Sequence, residues 1–291
     1  MEPSYAMIPA RSRQQALDWS LVLVSQGIES TIEQSPENGR WQLAVERNDC
    51  KRAIQTIRQY KLENRETVWR HSVHWGGLVF DWRSVGWILF LVAVFAVGQT
   101  RHPELTTAGM MDRHAVWGGQ WWRLFTAVTL HRDLPHLASN ATSGILLLGL
   151  AMGGFGSGIG LLAAYLAGVG GNLAGLLFYA GEHHSLGASG MIFGALGVLS
   201  GQMLGLRAGS AAKREIAIRS LASGFLLLVL FGLNPASDVL AHVGGFVSGT
   251  LLGAALAVWG SRLCESALAN RLAELLCALS VVVTWTLALA R

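Results

Sequence analysis

The chain has 291 residues, 52% hydrophobic and 14% charged, with a mean hydropathy of +0.40. Soluble domains carry nearer a quarter charged residues, so this balance excludes an ordinary soluble chain and points to the membrane class. The formal net charge of +4 is spread without a dense basic stripe, which suits loops facing anionic lipid and argues against nucleic acid as a partner.

Residues 1–70 are more polar and more acidic than the rest of the chain. The first twenty include Glu2, Arg11, Arg13 and Asp18, with no apolar core for a cleavable signal peptide, so targeting is expected from internal spans. Residues 14–25 have helical apolar spacing (Ala16, Leu17, Leu21, Val24), and Gly27 is a stop signal. Weak alternation over 28–33, the turn Pro36-Glu37-Asn38-Gly39 and alternation over 41–45 predict a hairpin. Asp49 is a candidate cap for a helix over 49–64 with Ala53, Ile54, Ile57 and Tyr60 on one face. The expected unit is a small soluble α+β module of order αββα, a cytosolic extension that solubilises, regulates or recruits substrate.

From about Trp75 the chain turns apolar. A helix needs roughly 20 mainly apolar residues to cross a bilayer. Spans are predicted at about 82–99, 137–155, 158–180, 188–206, 220–233, 237–259 and 272–290, the fifth short enough to be tilted or re-entrant. Most of the 35 glycines fall after Gly144 inside these stretches, where they let helix backbones approach closely. The expected organisation is a six-span core over 71–260, then a cytoplasmic loop and a seventh span over 261–291. Between the first two spans, residues 99–135 form a polar, aromatic-rich connection, long enough to be functional or packed on the membrane surface.

Arg207, Lys213, Arg214 and Arg219 follow the fourth span, and Arg262 and Arg271 follow the sixth. Positive loops face the cytoplasm, so an integral multi-pass cell-membrane protein is expected, with a cytoplasmic amino terminus (the inner membrane if the source is bacterial). Arg101, Arg113, Arg123 and Arg132, in the long outer connection, count against this orientation. Cys50, Cys264 and Cys277 are isolated, with neither a disulfide framework nor metal-ligand spacing.

Polar groups at membrane depth are costly and therefore candidates for function. Few exist: His136 and Asn140 heading the second span, Ser189 heading the fourth, and His242 within the sixth. In Gly187-Ala188-Ser189-Gly190 a serine between small residues opens a long apolar helix, so its hydroxyl lies among exposed N–H groups that suit an oxyanion. A serine there is also a common helix-packing residue. His242 lies one turn into its span, where a neutral imidazole could take and return the serine proton; a structural histidine bonded to a neighbouring helix is the plainer reading. Ala241, Gly245, Gly249 and Gly253 repeat every four residues, and Gly190, Gly194, Gly197, Gly201 and Gly205 give a comparable face. Two such faces packed together would bring Ser189 and His242 within reach. His136 and Asn140, four apart, share a helical face and offer oxyanion donors or an interface cap. No acidic residue is placed to complete a triad.

Together, Trp122-Arg123, His136-x-x-x-Asn140, Gly187-Ala188-Ser189-Gly190 and Ala241-His242-x-x-Gly245-x-x-x-Gly249 resemble the rhomboid intramembrane serine proteases, in order and spacing, over roughly residues 80–260. The resemblance implies an all-α membrane protein: a six-helix core with a water-filled cavity open to the outer face, here with a seventh helix added. It implies Ser189 as nucleophile, His242 as base then acid, and His136, Asn140 and the Ser189 N–H as oxyanion donors. Phe193 falls where the family stacks an aromatic on the histidine, Trp122-Arg123 at a structural site in the first loop, and residues 232–238 at a mobile cap. The expected activity is cleavage of transmembrane-helix substrates near the outer interface, without metal or organic cofactor.

A transporter would recruit more intramembrane charge and a repeat architecture. The nearer rival is a catalytically inactive relative that binds transmembrane helices, which would be expected to have lost Ser189 or His242. His183-His184 and His71/His74 read as exposed loop histidines.

Overall fold

The computed structural model describes residues 5–35, 39–63, 79–205, 211–233 and 237–290. The chain divides into two compact units, Met1–His74 and Trp75–Arg291.

In the first unit, strand β1 (Tyr5–Pro9) leads to helix α1 (Arg13–Ser25), strands β2 (Ser30–Gln34) and β3 (Trp41–Glu46), and helix α2 (Cys50–Glu63). The sheet is antiparallel in the order β1-β3-β2, so the unit is βαββα and contains one strand more than the αββα pattern predicted. That strand is five residues long and pairs with a partner more than thirty positions away, so nothing local marks it. Ser12 caps α1 by accepting from the Gln15 N–H. Gly27, at φ 71°, ends it while Ile28 N–H reaches back to the Leu23 carbonyl, the bond pattern of a left-handed helix stop. A 3-10 turn at Arg47–Asp49 leads directly into helix α2. Trp19, Leu23, Ile28, Leu43, Val45, Ala53 and Ile57 form a core internal to this unit.

The second unit is helical. Its apolar helices are α3 (Arg83–Thr100), α7 (Leu134–Phe155), α8 (Ser157–Phe178), α9 (Ser189–Gln202), α10 (Ala211–Gly232), α11 (Val239–Trp259) and α13 (Ala267–Leu289). Among the described residues six helices are long and apolar enough to cross a membrane: α3, α7, α8, α11, α13 and the 214–232 part of α10. Helix α9 is the exception. Its 14 residues rise about 21 Å, short of a hydrocarbon core of roughly 30 Å, and a 3-10 turn at Met203–Gly205 comes after it. The fifth span, predicted short, starts instead at residue 214, within a helix that extends back to residue 211.

The long connection between the first two spans is structured. It holds α4 (Glu104–Gly109), strand β4 (Met111–Asp112), α5 (Arg113–Trp117), α6 (Arg123–Thr126) and a buried 3-10 turn, Ala127–Thr129. Strand β4 pairs with β5 (His184–Ser185), which precedes α9. Gly156, at φ 90°, makes the sharp corner between α7 and α8, a conformation L side chains rarely adopt. Short helix α12 (Ser261–Glu265) joins α11 to α13.

Candidate active site

Helices α9 and α11 touch through backbone. A Cβ added at Gly245 would overlap the Gly190 carbonyl oxygen, one at Gly249 that of Gly194, and one at Gly253 that of Val198. From the other side, a Cβ at Gly197 or Gly201 would overlap the carbonyls of Phe246 and Thr250. Missing side chains on both helices let the axes close to backbone contact, where many weak dispersion and Cα–H···O contacts accumulate. The four-residue repeat keeps this register from end to end.

That register sets the chemistry. The Ser189 hydroxyl, in the first turn of α9, lies 2.8 Å from His242 Nε2. The other ring nitrogen, Nδ1, is 2.7 Å from the Gly232 carbonyl. A carbonyl only accepts, so Nδ1 carries the proton and Nε2 is left to accept from the serine. The last residue of α10 thereby holds the tautomer in which Nε2 can accept from the Ser189 hydroxyl. Phe193, one turn beyond the serine, packs its ring 4.7 Å from the imidazole. No sequence signal marks Gly232 for this part, since the group involved is a backbone carbonyl present at every position.

His136 and Asn140 come from the first two turns of α7, whose cap is Asp133, accepting from the His136 N–H at 2.8 Å. Both line the cavity that holds Ser189 and His242. His136 Nδ1 and the Asn140 amide nitrogen are buried and have no protein partner, the costly state for a donor unless it serves a ligand. Gly187, at φ 141°, lies under His136, and a Cβ there would stand 2.8 Å from its Cε1. Glycine is therefore required twice, by the dihedral and by the ring above it. Gly190 is the close-approach residue against α11. His131, just outside the span, packs against His136, and burial followed by the charge of His136 pushes its imidazole down to about 4.

Trp122 is buried, and Arg123 works as a staple within its own loop. Its guanidinium donates to the carbonyls of Thr107 and Met110, both at 2.8 Å, and to the Gln120 side chain at 2.7 Å. Asn172 of α8 donates to the Leu124 carbonyl at 2.7 Å, tying that loop to the bundle.

The cavity has a volume of about 1130 Å³ and lies between α7, α9 and α10, with Ser139, Thr142 and Ser143 on one wall and Leu227 and Phe231 on another. At its rim the histidine expected to be a free loop residue is engaged instead. His183 Nε2 is 3.1 Å from the Asp238 carboxylate, and its ring stacks on Tyr179 at 4.0 Å. Tyr179 donates to the same carboxylate at 3.2 Å, and Asp238 also caps α11 by accepting from the Ala241 N–H at 3.0 Å. Burial, then the Asp238 charge, raises the Tyr179 phenol. No local pattern points to this cluster because its carboxylate lies 55 and 59 positions from His183 and Tyr179. His184 also has a partner, Asp112 at 3.3 Å, whose carboxyl is held down first by the Ala115 N–H. Residues 234–236 of the expected mobile cap, and His71 and His74, lie outside the described residues.

Residues 118–259 match the family model described as the Rhomboid domain. The Rhomboid protease GluP of Bacillus subtilis (strain 168) is 30% identical over 197 residues, 64% of this chain and 37% of that protein. RHOMBOID-like protein 5 of Arabidopsis thaliana is 32% identical over 156 residues, 52% of this chain and 49% of that protein. RHOMBOID-like protein 1 of the same plant is 36% identical over 135 residues, 45% of this chain and 33% of that protein. The chain thus spans between a third and a half of the length of these curated relatives.

Proposed function

Because the chain belongs to the rhomboid family, an integral multi-pass membrane family, we propose that it is a serine endopeptidase that cleaves transmembrane-helix substrates within the bilayer. The observation that carries the reading is the Ser189–His242 pair, 2.8 Å apart, with the ring's other nitrogen held by the Gly232 carbonyl.

Ser189 Oγ attacks the scissile carbonyl carbon while its proton passes to His242 Nε2. The imidazolium so formed keeps its Nδ1–H on the Gly232 carbonyl, which stabilises the charge as an acidic partner would, without a buried carboxylate. The carbonyl oxygen, now negative, meets donors from His136, the Asn140 amide and the Ser189 N–H at the start of α9. His242 then returns the proton to the leaving amine, and water repeats the sequence on the acyl-enzyme. Two buried side-chain nitrogens without a protein partner, on residues that line the cavity, favour this reading over a purely structural cluster. Phe193 steadies the imidazole by stacking, whereas Trp122 and Arg123 support the site from the first loop. A substrate must leave its helical hydrogen bonds to reach the serine, so segments rich in glycine or other helix breakers should be cut most readily.

We place the amino terminus on the cytoplasmic side and the cavity mouth outside. Arg83, Arg214, Arg262 and Arg271 belong to the helix ends and the turn opposite Ser189, and Arg219 to the same half of α10. Two of the arginines that opposed this orientation are engaged by backbone carbonyls: Arg123 by those of Thr107 and Met110 in its own loop, and Arg113 by that of Leu176 near the end of α8, at 3.3 Å. A cysteine placed at Glu182 should react with a membrane-impermeant maleimide in intact cells; reaction only after the membrane is opened would reverse the orientation.

The test is cleavage of a single-span substrate by purified protein in liposomes. Ser189→Ala and His242→Ala should abolish cutting and labelling by a fluorophosphonate, and Asn140→Ala should lower kcat by about 100-fold. Full activity in either of the first two variants would sink the mechanism. A wild type that captures the substrate and never cuts it would favour the binding-only relative.

A further inference from the structure

Helix α13 lies beyond the matched domain at residues 118–259, yet its far end reaches the turn that supports the serine's loop. We propose that Trp285 is a positioning residue for Ser189, acting through Thr129 and the Ala127 carbonyl; this rests on the serine-protease reading of the site.

The helix is fastened at both ends. At its start, the Asn270 side-chain oxygen accepts from the N–H groups of Gly158 and Ile159, at 3.1 and 3.2 Å, while its amide nitrogen donates to the Cys264 carbonyl at 2.8 Å. Glu274 accepts from Arg83 at 2.9 Å and from Ser157 at 2.6 Å. Ala273, Cys277, Val281, Thr284 and Ala288, spaced by three and four, are the buried face between these fastenings. The helix is therefore held in axial position, so where Trp285 falls is not free to drift.

At the far end the indole N–H of Trp285 donates to the Thr129 hydroxyl at 3.1 Å. That hydroxyl donates in turn to the Thr126 carbonyl at 2.8 Å, and the Thr126 hydroxyl donates to the Gly109 carbonyl at 2.6 Å. The indole ring fills the space in front of Gly109, where a Cβ would stand 2.6 Å from its Cη2. The turn Ala127–Thr129 is thus clamped between the first loop and α13, with all three residues buried. Its Ala127 carbonyl accepts the N–H of Gly187 at 3.0 Å, two residues before Ser189. Gly187 has no side chain to anchor it, so this backbone bond and the ring of His136 fix where α9 begins. Loops that deliver a nucleophile need such bracing, because a displacement of an ångström costs catalysis far more than it costs stability.

Purified full-length protein is compared with Trp285→Phe, which keeps a ring and loses the donor, and with Thr129→Val, Thr129→Ser, Trp285→Ala and the Phe/Val double variant. Three quantities are read: kcat and KM on a single-span substrate, the rate of Ser189 labelling by a fluorophosphonate, and the melting temperature. Trp285→Phe should lower kcat and the labelling rate by about three- to tenfold with KM unchanged. Thr129→Val should match it, the double variant should be no worse than either single, and Thr129→Ser should restore the rate. If wild type labels and cuts while Trp285→Phe and Trp285→Ala keep its kcat and labelling rate, the proposal is wrong, even if their melting temperatures fall, because α13 would then only pack. A wild type that neither labels nor cuts overturns the protease reading itself, and this proposal with it.

Discussion

His242 has each ring nitrogen assigned to a different helix, Nε2 to the serine of α9 and Nδ1 to the last carbonyl of α10. In the proposed mechanism a backbone group takes the place that a carboxylate holds in a Ser-His-Asp triad, and this spares the bundle the desolvation of a buried anion. The neighbouring His131 is governed by the opposite constraint: buried, with both ring nitrogens lacking a protein partner, it resists protonation. Its folded value of about 4 lies below the ordinary 6.5, so between these pH values the unfolded chain binds the extra proton. Stability from this site is therefore complete above about pH 6.5 and lost as pH falls towards 4, by at most about 3 kcal/mol. His131→Phe should flatten that acid limb, read as a smaller drop in melting temperature between about pH 7 and pH 5. An unchanged drop would show that other groups set the acid sensitivity.

At the scale of elements, α9 and α11 function as one piece because glycine faces let their backbones touch. Gly249→Val illustrates the dependence. Its branched side chain would drive into the Gly194 carbonyl and wedge the helices apart, an overpacking cost of about 1–3 kcal/mol. Because Ser189 and His242 sit on the two helices being separated, activity should fall more steeply than stability. Val247→Leu, two positions away on an exposed surface, should leave both unchanged. Paired measurements of cleavage rate and melting temperature check this, and a Gly249→Val protein that cuts normally would show that α11 is held elsewhere. Helix α9 itself is too short to span, and its seat deep in the bundle comes from packing against α7, α8, α10 and α11.

For the whole molecule, the two units have separate cores. That of residues 1–74 is built from its own sheet and helices, so the isolated unit should unfold cooperatively in urea. Residues 75–291, purified alone, should cut a model substrate at the rate of the full chain. A large loss of rate on truncation would instead assign the first unit a part in catalysis or substrate capture.

Much of this was legible from composition and spacing. Low charge with long apolar runs demanded helices in a membrane, and glycine every four residues marked which faces would meet. Ser189, His242, His136 and Asn140 stood out because polar groups are rare at that depth. Other features depended on groups distant in sequence or common to every residue. The short edge strand Tyr5–Pro9 is visible only through its pairing with β3, and the engagement of His183 only through a carboxylate 55 positions away. The tautomer of His242 is set by a carbonyl that carries no letter of its own. Hydropathy and helical period are properties of neighbouring residues, so the class, most of the spans and the rare polar side chains could be read along the chain. Which backbone groups orient the histidine and brace the serine's loop could not, because those bonds join helices whose registers are set by packing.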